Sequence, residues 1–114
     1  MRFAISMTDI EGEWDRLPMD RRQAILAEHE AFAAALSAAG KLVAVLHFHP
    51  RSDAKTIRMA PDGSLTLVDG PFTDAAEQVG GVYVIEAESM DEAVEWARRG
   101  RFMVGANEVR QIWE

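Results

Sequence analysis

The stretch Asp69-Gly70-Pro71-Phe72, which continues to Gly80-Gly81, decides how the two halves of this chain are joined. It separates an apolar segment at residues 65–68 from another at residues 82–87. Asp-Gly pairs favour turns because glycine adopts positive φ without steric cost. The following proline fixes its own φ and biases the preceding glycine towards an extended backbone. We therefore predict a stiff corner that holds the Asp69 carboxylate at the end of a strand.

Apolar periodicity predicts the regular elements on either side of this corner. Residues 20–39 and 89–99 show the spacing of amphipathic helices, and Asp20 with Gln23 and Ser89 with Glu92 have the spacing of capping boxes. We expect a loop at residues 8–19, in which Trp14 covers the core. Strands are predicted at residues 2–7, 42–49, 56–60, 65–68, 81–87 and 107–113.

The order of these elements predicts one α+β domain over residues 1–114, with a split βαβ pattern and an inserted β-hairpin around residues 61–64. The strands at residues 42–49 and 81–87 carry apolar side chains on both faces. Two helices can cover only one face of a four-stranded sheet, so a second copy of the chain is the simplest cover for the other face. The sequence therefore predicts a homodimer.

Composition narrows the classes of function. Among 114 residues the net charge is −7 and 48% are hydrophobic, which argues against disorder and against a nucleic-acid surface, because the latter needs a basic patch. The chain has no cysteine, which excludes disulfides, a thiol nucleophile and cysteine-based zinc sites. No apolar run approaches the length of a membrane span or resembles a signal peptide, so we expect a cytoplasmic protein without membrane contact.

The corner also carries a family resemblance. Asp69-Gly70-Pro71-Phe72-Thr73-Asp74, followed by Glu77-Gln78-Val79-Gly80-Gly81-Val82-Tyr83, resembles the signature of the YCII-related proteins of the DGPF type. The resemblance extends to Trp14, His29 and Glu108-Val109-Arg110. It implies a ferredoxin-like βαββαβ fold that dimerises into an α/β barrel. It also implies a pocket that contains a histidine–aspartate pair.

His29 and Asp69 are the candidate catalytic residues. His29 lies on the inward stripe of the first helix with Ile25, Phe32 and Leu36, where a charged imidazole needs a partner. A carboxylate that accepts from one ring nitrogen fixes the histidine tautomer and leaves the other nitrogen for proton transfer. From the sequence alone, a core histidine with a satisfied hydrogen bond also accounts for His29 without catalysis. The resemblance, rather than the spacing, is what brings these two residues together.

Three further residues are candidates for substrate binding: His47, Arg58 and Phe72. An arginine on a strand is suited to hold a carboxylate, although a solvated strand face also accounts for it. His47 and His49 share a strand face and have the spacing of a metal pair, but an exposed strand end before Pro50 explains them without a metal. We therefore predict no metal and no cofactor.

Two functions follow from these observations. The first is a small dimeric enzyme that acts on a small organic acid by proton transfer, as an isomerase or lyase, by analogy with other proteins of this fold. The alternative is a non-catalytic dimer that binds a small ligand or a protein partner in a regulatory role. No phosphate loop, dinucleotide fingerprint or nucleophile elbow is present in the sequence.

Overall fold

The computed structural model describes residues 1–101 and 103–114 and has an α+β architecture. A 3₁₀ turn at Arg51–Asp53 follows the second strand. The helices and strands, in chain order, are β1 (Arg2–Ile10), α1 (Glu13–Arg16), α2 (Met19–Ala38), β2 (Leu42–His47), β3 (Lys55–Met59), β4 (Leu65–Asp69), β5 (Glu77–Glu86), α3 (Met90–Arg99) and β6 (Asn107–Gln111).

The main sheet has four antiparallel strands in the order β2-β5-β1-β6, and β3 and β4 form a separate two-stranded sheet. Without the hairpin, the chain order is βαββαβ and the two strands that precede the long helices, β1 and β5, lie at the centre. This is the ferredoxin-like arrangement. The predicted fold class, including the inserted hairpin, is confirmed.

The register of the two central strands fixes the core. Phe3 lies opposite Ile85, Ile5 lies opposite Tyr83, and all four side chains are buried. The helices α2 and α3 pack on this face of the sheet and contribute the remaining buried residues, which include Ile25, Phe32, Leu36, Ala93 and Ala97. The inward stripe predicted for the first long helix therefore contacts the sheet.

The opposite face of the sheet is also apolar. Val82 and Val84 alternate with the buried residues of β5 and pair with Leu46 and Ala44 of β2, so these four side chains lie on the second face. The molecule is 18 Å across its thinnest dimension, which fits one sheet and one layer of helices. Apolar residues on both faces were predicted correctly, and cover by a second copy stays a prediction.

The capping signals in the sequence predicted the N-cap of α3 correctly and that of α2 incorrectly. Ser89 caps α3 as predicted, because its Oγ accepts from the backbone N–H of Glu92 at 3.1 Å. The expectation that Asp20 caps α2 is wrong, since the helix begins at Met19 after Pro18. Pro18 is the N-cap residue and has an extended backbone, whereas Asp20 already lies inside the helix and accepts from the N–H of Arg21 at 2.9 Å.

The observed strand ends differ from the predicted ones where the pairing partners are distant in sequence. Both β1 and β5 are longer than predicted because Asp9 pairs with Gln78 and Ile10 pairs with Glu77. The predicted loop at residues 8–19 therefore contains the end of β1 and the short helix α1. Conversely, β2 ends at His47, two residues earlier than predicted.

Two glycines between the end of β4 and the middle of β5 occupy positions that disfavour a side chain. Gly70 follows the last residue of β4 and has φ +108°, a backbone conformation that favours glycine. At Gly81, a Cβ atom would lie 2.9 Å from the backbone oxygen of Leu46, so β2 and β5 approach each other at a point that has no room for a side chain. The corner that places Asp69 at a strand end is confirmed.

The β3–β4 hairpin leaves a large apolar surface exposed. Ile57 lies opposite Leu67, Met59 lies opposite Leu65, and all four side chains share one face. Each of them is at least 60% exposed. An isolated two-stranded hairpin is marginally stable in water, so a surface of this kind favours a partner. In the described part of the chain, no helix is both long and apolar enough to cross a membrane.

Candidate functional site

A cleft of about 1750 Å³ opens on the side of the sheet that the helices cover. Most of its wall is apolar, and polar and charged side chains make up the rest. The lining of the cleft includes Trp14 from α1, Ile25 and His29 from α2, Val45 and His47 from β2, and Tyr83 from β5. A mostly apolar cleft with a few convergent polar groups is the usual form of a small-molecule site.

The central polar contact of the cleft joins His29 to Tyr83. The Nδ1 atom of His29 lies 3.0 Å from the Tyr83 hydroxyl oxygen. The two rings are nearly parallel, at an interplanar angle of 8° and with centroids 6.1 Å apart. The prediction that His29 faces the interior from α2 is therefore correct, and within one subunit Nδ1 is bonded to a phenol.

Packing holds the Tyr83 ring in place. Tyr83 is only 4% exposed, and its ring meets Phe32 edge-on with centroids 5.0 Å apart. Phe32 in turn contacts the ring of Trp96 on α3 at 6.5 Å. Such edge-to-face pairs add to the stabilisation that comes from burial alone. The hydroxyl that contacts His29 is thus fixed by a row of aromatic rings across both long helices.

His47 lies near this pair. It is opposite Gly81, which is itself opposite the core residue Met7, so His47 is on the face of the sheet that the helices cover. Burial lowers the pKa of His29 below its ordinary value and the His47 imidazole lowers it further, while Glu28 has a smaller, opposite effect. At neutral pH the His29 imidazole is therefore mostly uncharged.

Burial also raises the pKa of the Tyr83 phenol, so Tyr83 keeps its proton at neutral pH. The site thus contains a neutral imidazole and a protonated phenol in hydrogen-bond contact. A pair of neutral groups in a dry setting costs much less to bury than an ion pair. The arrangement can place a polarised N–H or a ring nitrogen against a ligand without a buried charge.

The structure does not bring Asp69 to His29 within one subunit. Asp69 does stand at the end of β4, but its side chain is 85% exposed and its carboxylate lies 2.6 Å from the Lys55 ammonium. Lys55 is its direct neighbour across the hairpin. Asp69 is not among the residues that line the cleft. The pairing of His29 with Asp69 stays a prediction.

Arg58 and Phe72 contact each other rather than the cleft. The Arg58 guanidinium donates to the backbone oxygen of Phe72, and the Phe72 side chain is largely exposed. Neither residue lines the cleft, whereas His47 does. Of the three candidate substrate-binding residues, the structure therefore places one beside His29.

His49 lies beyond the end of β2. Its side chain is exposed, and its Nδ1 atom is 3.9 Å from the Asp53 carboxylate. Among residues 1–101 and 103–114, no three histidine, aspartate or glutamate side chains form a group that could hold a metal ion. His47 and His49 thus have no third ligand of these types within the described residues.

Sequence reasoning missed two contacts at the cleft. Arg51 binds the Asp9 carboxylate at 2.5 Å and donates to the backbone oxygen of Ala76 at 2.8 Å, so it ties the segment after the corner to β1. No local pattern indicates this pair. The sequence does contain an indication of the contact between Tyr83 and His29. A tyrosine on the inner face of a strand and a histidine on the inner stripe of a helix each require a polar partner.

These features describe a ferredoxin-like α+β domain with a polar pair at the base of an apolar cleft. The model of the YCII-related domain family matches residues 1–114, and the chain belongs to that family. The resemblance noted in the sequence is confirmed at this level. A relative from Rhizobium meliloti (strain 1021), an uncharacterised protein, is 38% identical over 77 residues, which cover 65% of this chain and 61% of the relative. The chain thus spans less than two thirds of that relative.

The lowered pKa of His29 predicts a pH dependence of stability. Between the folded pKa and the ordinary value of 6.5, the unfolded chain binds more protons than the folded chain. The contribution of neutral His29 to the free energy of unfolding is therefore present above the unfolded pKa and is lost as pH falls through the folded pKa. We expect His29→Gln to remove this component, as measured by urea unfolding at a series of pH values.

Glu30→Gln is the matched control, because Glu30 is an exposed residue one position further along α2. It should keep the wild-type dependence on pH in this window. Identical pH dependence in the wild type and His29→Gln would contradict the assignment.

Proposed function

We propose that this protein is a small-molecule enzyme of the isomerase or lyase type, in which His29 takes part in proton transfer to or from a ligand. The contact between His29 and Tyr83 in the cleft, beside the apolar side chains of Ile25 and Val45, is the observation that carries this proposal. A polar group that is partly buried and held in place interacts with a reacting atom more strongly than the same group in water. An uncharged imidazole near neutral pH is also suited to proton transfer.

The proposed ligand is a small cyclic or aromatic-derived acid. Trp14, Ile25 and Val45 supply the apolar surface that such a ring needs, and His29 and His47 supply hydrogen bonds for its oxygen atoms. Arg51 also lines the cleft, but its guanidinium is bonded to Asp9 and to backbone oxygens. We therefore assign recognition of the ligand's acid group to the imidazoles of His29 and His47.

The active form in this proposal is a homodimer. Two surfaces support a second copy: the uncovered apolar face of the main sheet and the exposed apolar face of the β3–β4 hairpin. Asp69 lies at the base of that hairpin and belongs to the proposal as a second proton-transfer group, contributed by the other subunit. In the single chain its carboxylate binds Lys55, away from the cleft.

A non-catalytic role is the second candidate. The four exposed apolar side chains of the hairpin, Ile57, Met59, Leu65 and Leu67, form a surface that suits a protein partner. In that case the cleft binds a ligand without turnover and the dimer acts in regulation. The net charge of −7 argues against direct contact with nucleic acid in either role.

A solvent-exchange assay tests the enzymatic proposal even though the substrate is unidentified. A panel of small cyclic and aromatic-derived keto acids is incubated with the protein in D₂O, and loss of C–H signals is followed by proton NMR. We expect catalysed exchange for at least one compound. His29→Gln should slow that exchange by about 10²–10⁴-fold, the usual contribution of a positioned acid or base.

Two control variants, Glu30→Gln and Asp62→Asn, test whether the loss of exchange is specific to His29 and Asp69. Glu30→Gln on the same helix should keep the wild-type rate. Asp69→Asn should slow exchange, whereas Asp62→Asn, in the turn of the same hairpin, should not. Ligand binding to the cleft without exchange of any C–H proton would favour the non-catalytic role, and equal rates in His29→Gln and the wild type would contradict the part given to His29.

Sedimentation of two leucine variants tests the dimer. Leu46 lies on the uncovered face of the sheet and Leu26 lies on α2, and each is 48% exposed. A buried aspartate at an apolar interface is costly, so Leu46→Asp should shift the protein from dimer to monomer at micromolar concentration. Leu26→Asp should remain dimeric. A monomeric wild type, or a dimeric Leu46→Asp variant, would contradict the proposed interface.

A further inference from the structure

We propose that Tyr83 is a positioning residue that sets the tautomer of His29, so that the neutral imidazole carries its proton on Nε2 and offers it to a ligand oxygen. The inference deepens the proposed function, and its catalytic meaning rests on that function. It assigns a role to a residue that the family signature contains but that no sequence pattern marked as functional.

The Tyr83 phenol has a single proton to donate. Among the residues that the structure describes, two acceptors lie near its hydroxyl: Nδ1 of His29 at 3.0 Å and the backbone oxygen of His29 at 3.5 Å. Hydrogen bonds from a hydroxyl group are usually shorter than about 3.0 Å when the acceptor is oxygen, so the longer contact is weak. The hydroxyl proton is therefore directed to Nδ1.

An Nδ1 atom that accepts a hydrogen bond has no proton of its own. In a neutral imidazole one ring nitrogen is a donor and the other is an acceptor. The ring proton of His29 is then on Nε2. The hydrogen bond made by one ring nitrogen thus determines what the other can do.

Both members of the pair are held by the fold. Tyr83 projects from the central strand β5 and its ring packs against Phe32, while His29 is fixed to α2 one turn before Phe32. The two residues are 54 positions apart in sequence, so the contact exists only when helix and sheet are packed together. Hydrogen bonds in a buried setting are stronger than those in water, which strengthens the tautomer preference.

This tautomer specifies a class of ligand. A neutral Nε2–H group donates to an oxygen atom that gains negative charge, as on a carbonyl or carboxyl group, and it does so without a full charge on the protein. The same group repels ligands that present an N–H or an ammonium at that point. His29 then acts on the ligand oxygen as hydrogen-bond donor and general acid, and the removal of a C–H proton falls to the second proton-transfer group of the proposed function, Asp69.

Nitrogen NMR of the intact protein tests the inference directly. Long-range proton–nitrogen correlation spectra of ¹⁵N-labelled protein, recorded at about pH 8, above the ordinary histidine pKa, distinguish the two tautomers. We expect Nε2 of His29 to carry the proton and Nδ1 to resonate upfield of a free pyridine-type nitrogen. Tyr83→Phe should populate the other tautomer, which moves the averaged Nδ1 resonance upfield and the Nε2 resonance downfield.

The phenylalanine variant keeps the ring that packs against Phe32, and the exposed His49 serves as an internal reference whose resonances should not change. Substitution of each histidine by glutamine assigns the signals. A proton on Nδ1 in the wild type would overturn the inference whether or not the variant folds, and so would an unchanged Nδ1 resonance in a folded Tyr83→Phe variant. Because no ligand is needed, this result is separate from the success or failure of the exchange assay.

Discussion

The alternation of side chains along β5 is the constraint on which the rest of this structure depends. Because successive residues of a strand face opposite sides of the sheet, Tyr83 and Ile85 enter the core while Val82 and Val84 lie on the second face. A shift of one residue in the pairing with β1 would exchange the two sets. The same register therefore produces the hydrogen bond to His29 and the uncovered apolar surface that supports a dimer.

The glycine pair Gly80-Gly81 keeps this register compatible with β2. A side chain at Gly81 would meet the backbone oxygen of Leu46, and one at Gly80 would meet the Asp9 carboxylate that Arg51 binds. The close approach places Val45 and His47 beside Tyr83 at the cleft.

Sequence reasoning succeeded where the physical cause is local and failed where it is distant. The capping of α3 by Ser89 and the positive φ at Gly70 depend on a few adjacent residues, and both could be predicted. The early start of β5 could not, because polar Glu77 and Gln78 become strand residues only through pairing with Ile10 and Asp9. The inward orientation of His29 was visible in the helical stripe, but its partner depends on the register of a strand 54 positions away.

The contact between His29 and Tyr83 is central to the proposed site, and a double-mutant cycle measures it most directly. Free energies of unfolding are determined for the wild type, Tyr83→Phe, His29→Leu and the double variant. Since each single substitution leaves a polar group unsatisfied, the double variant should lose less stability than the two singles together. We predict a coupling energy of about 0.5–1.5 kcal/mol. Strictly additive losses would contradict the claim.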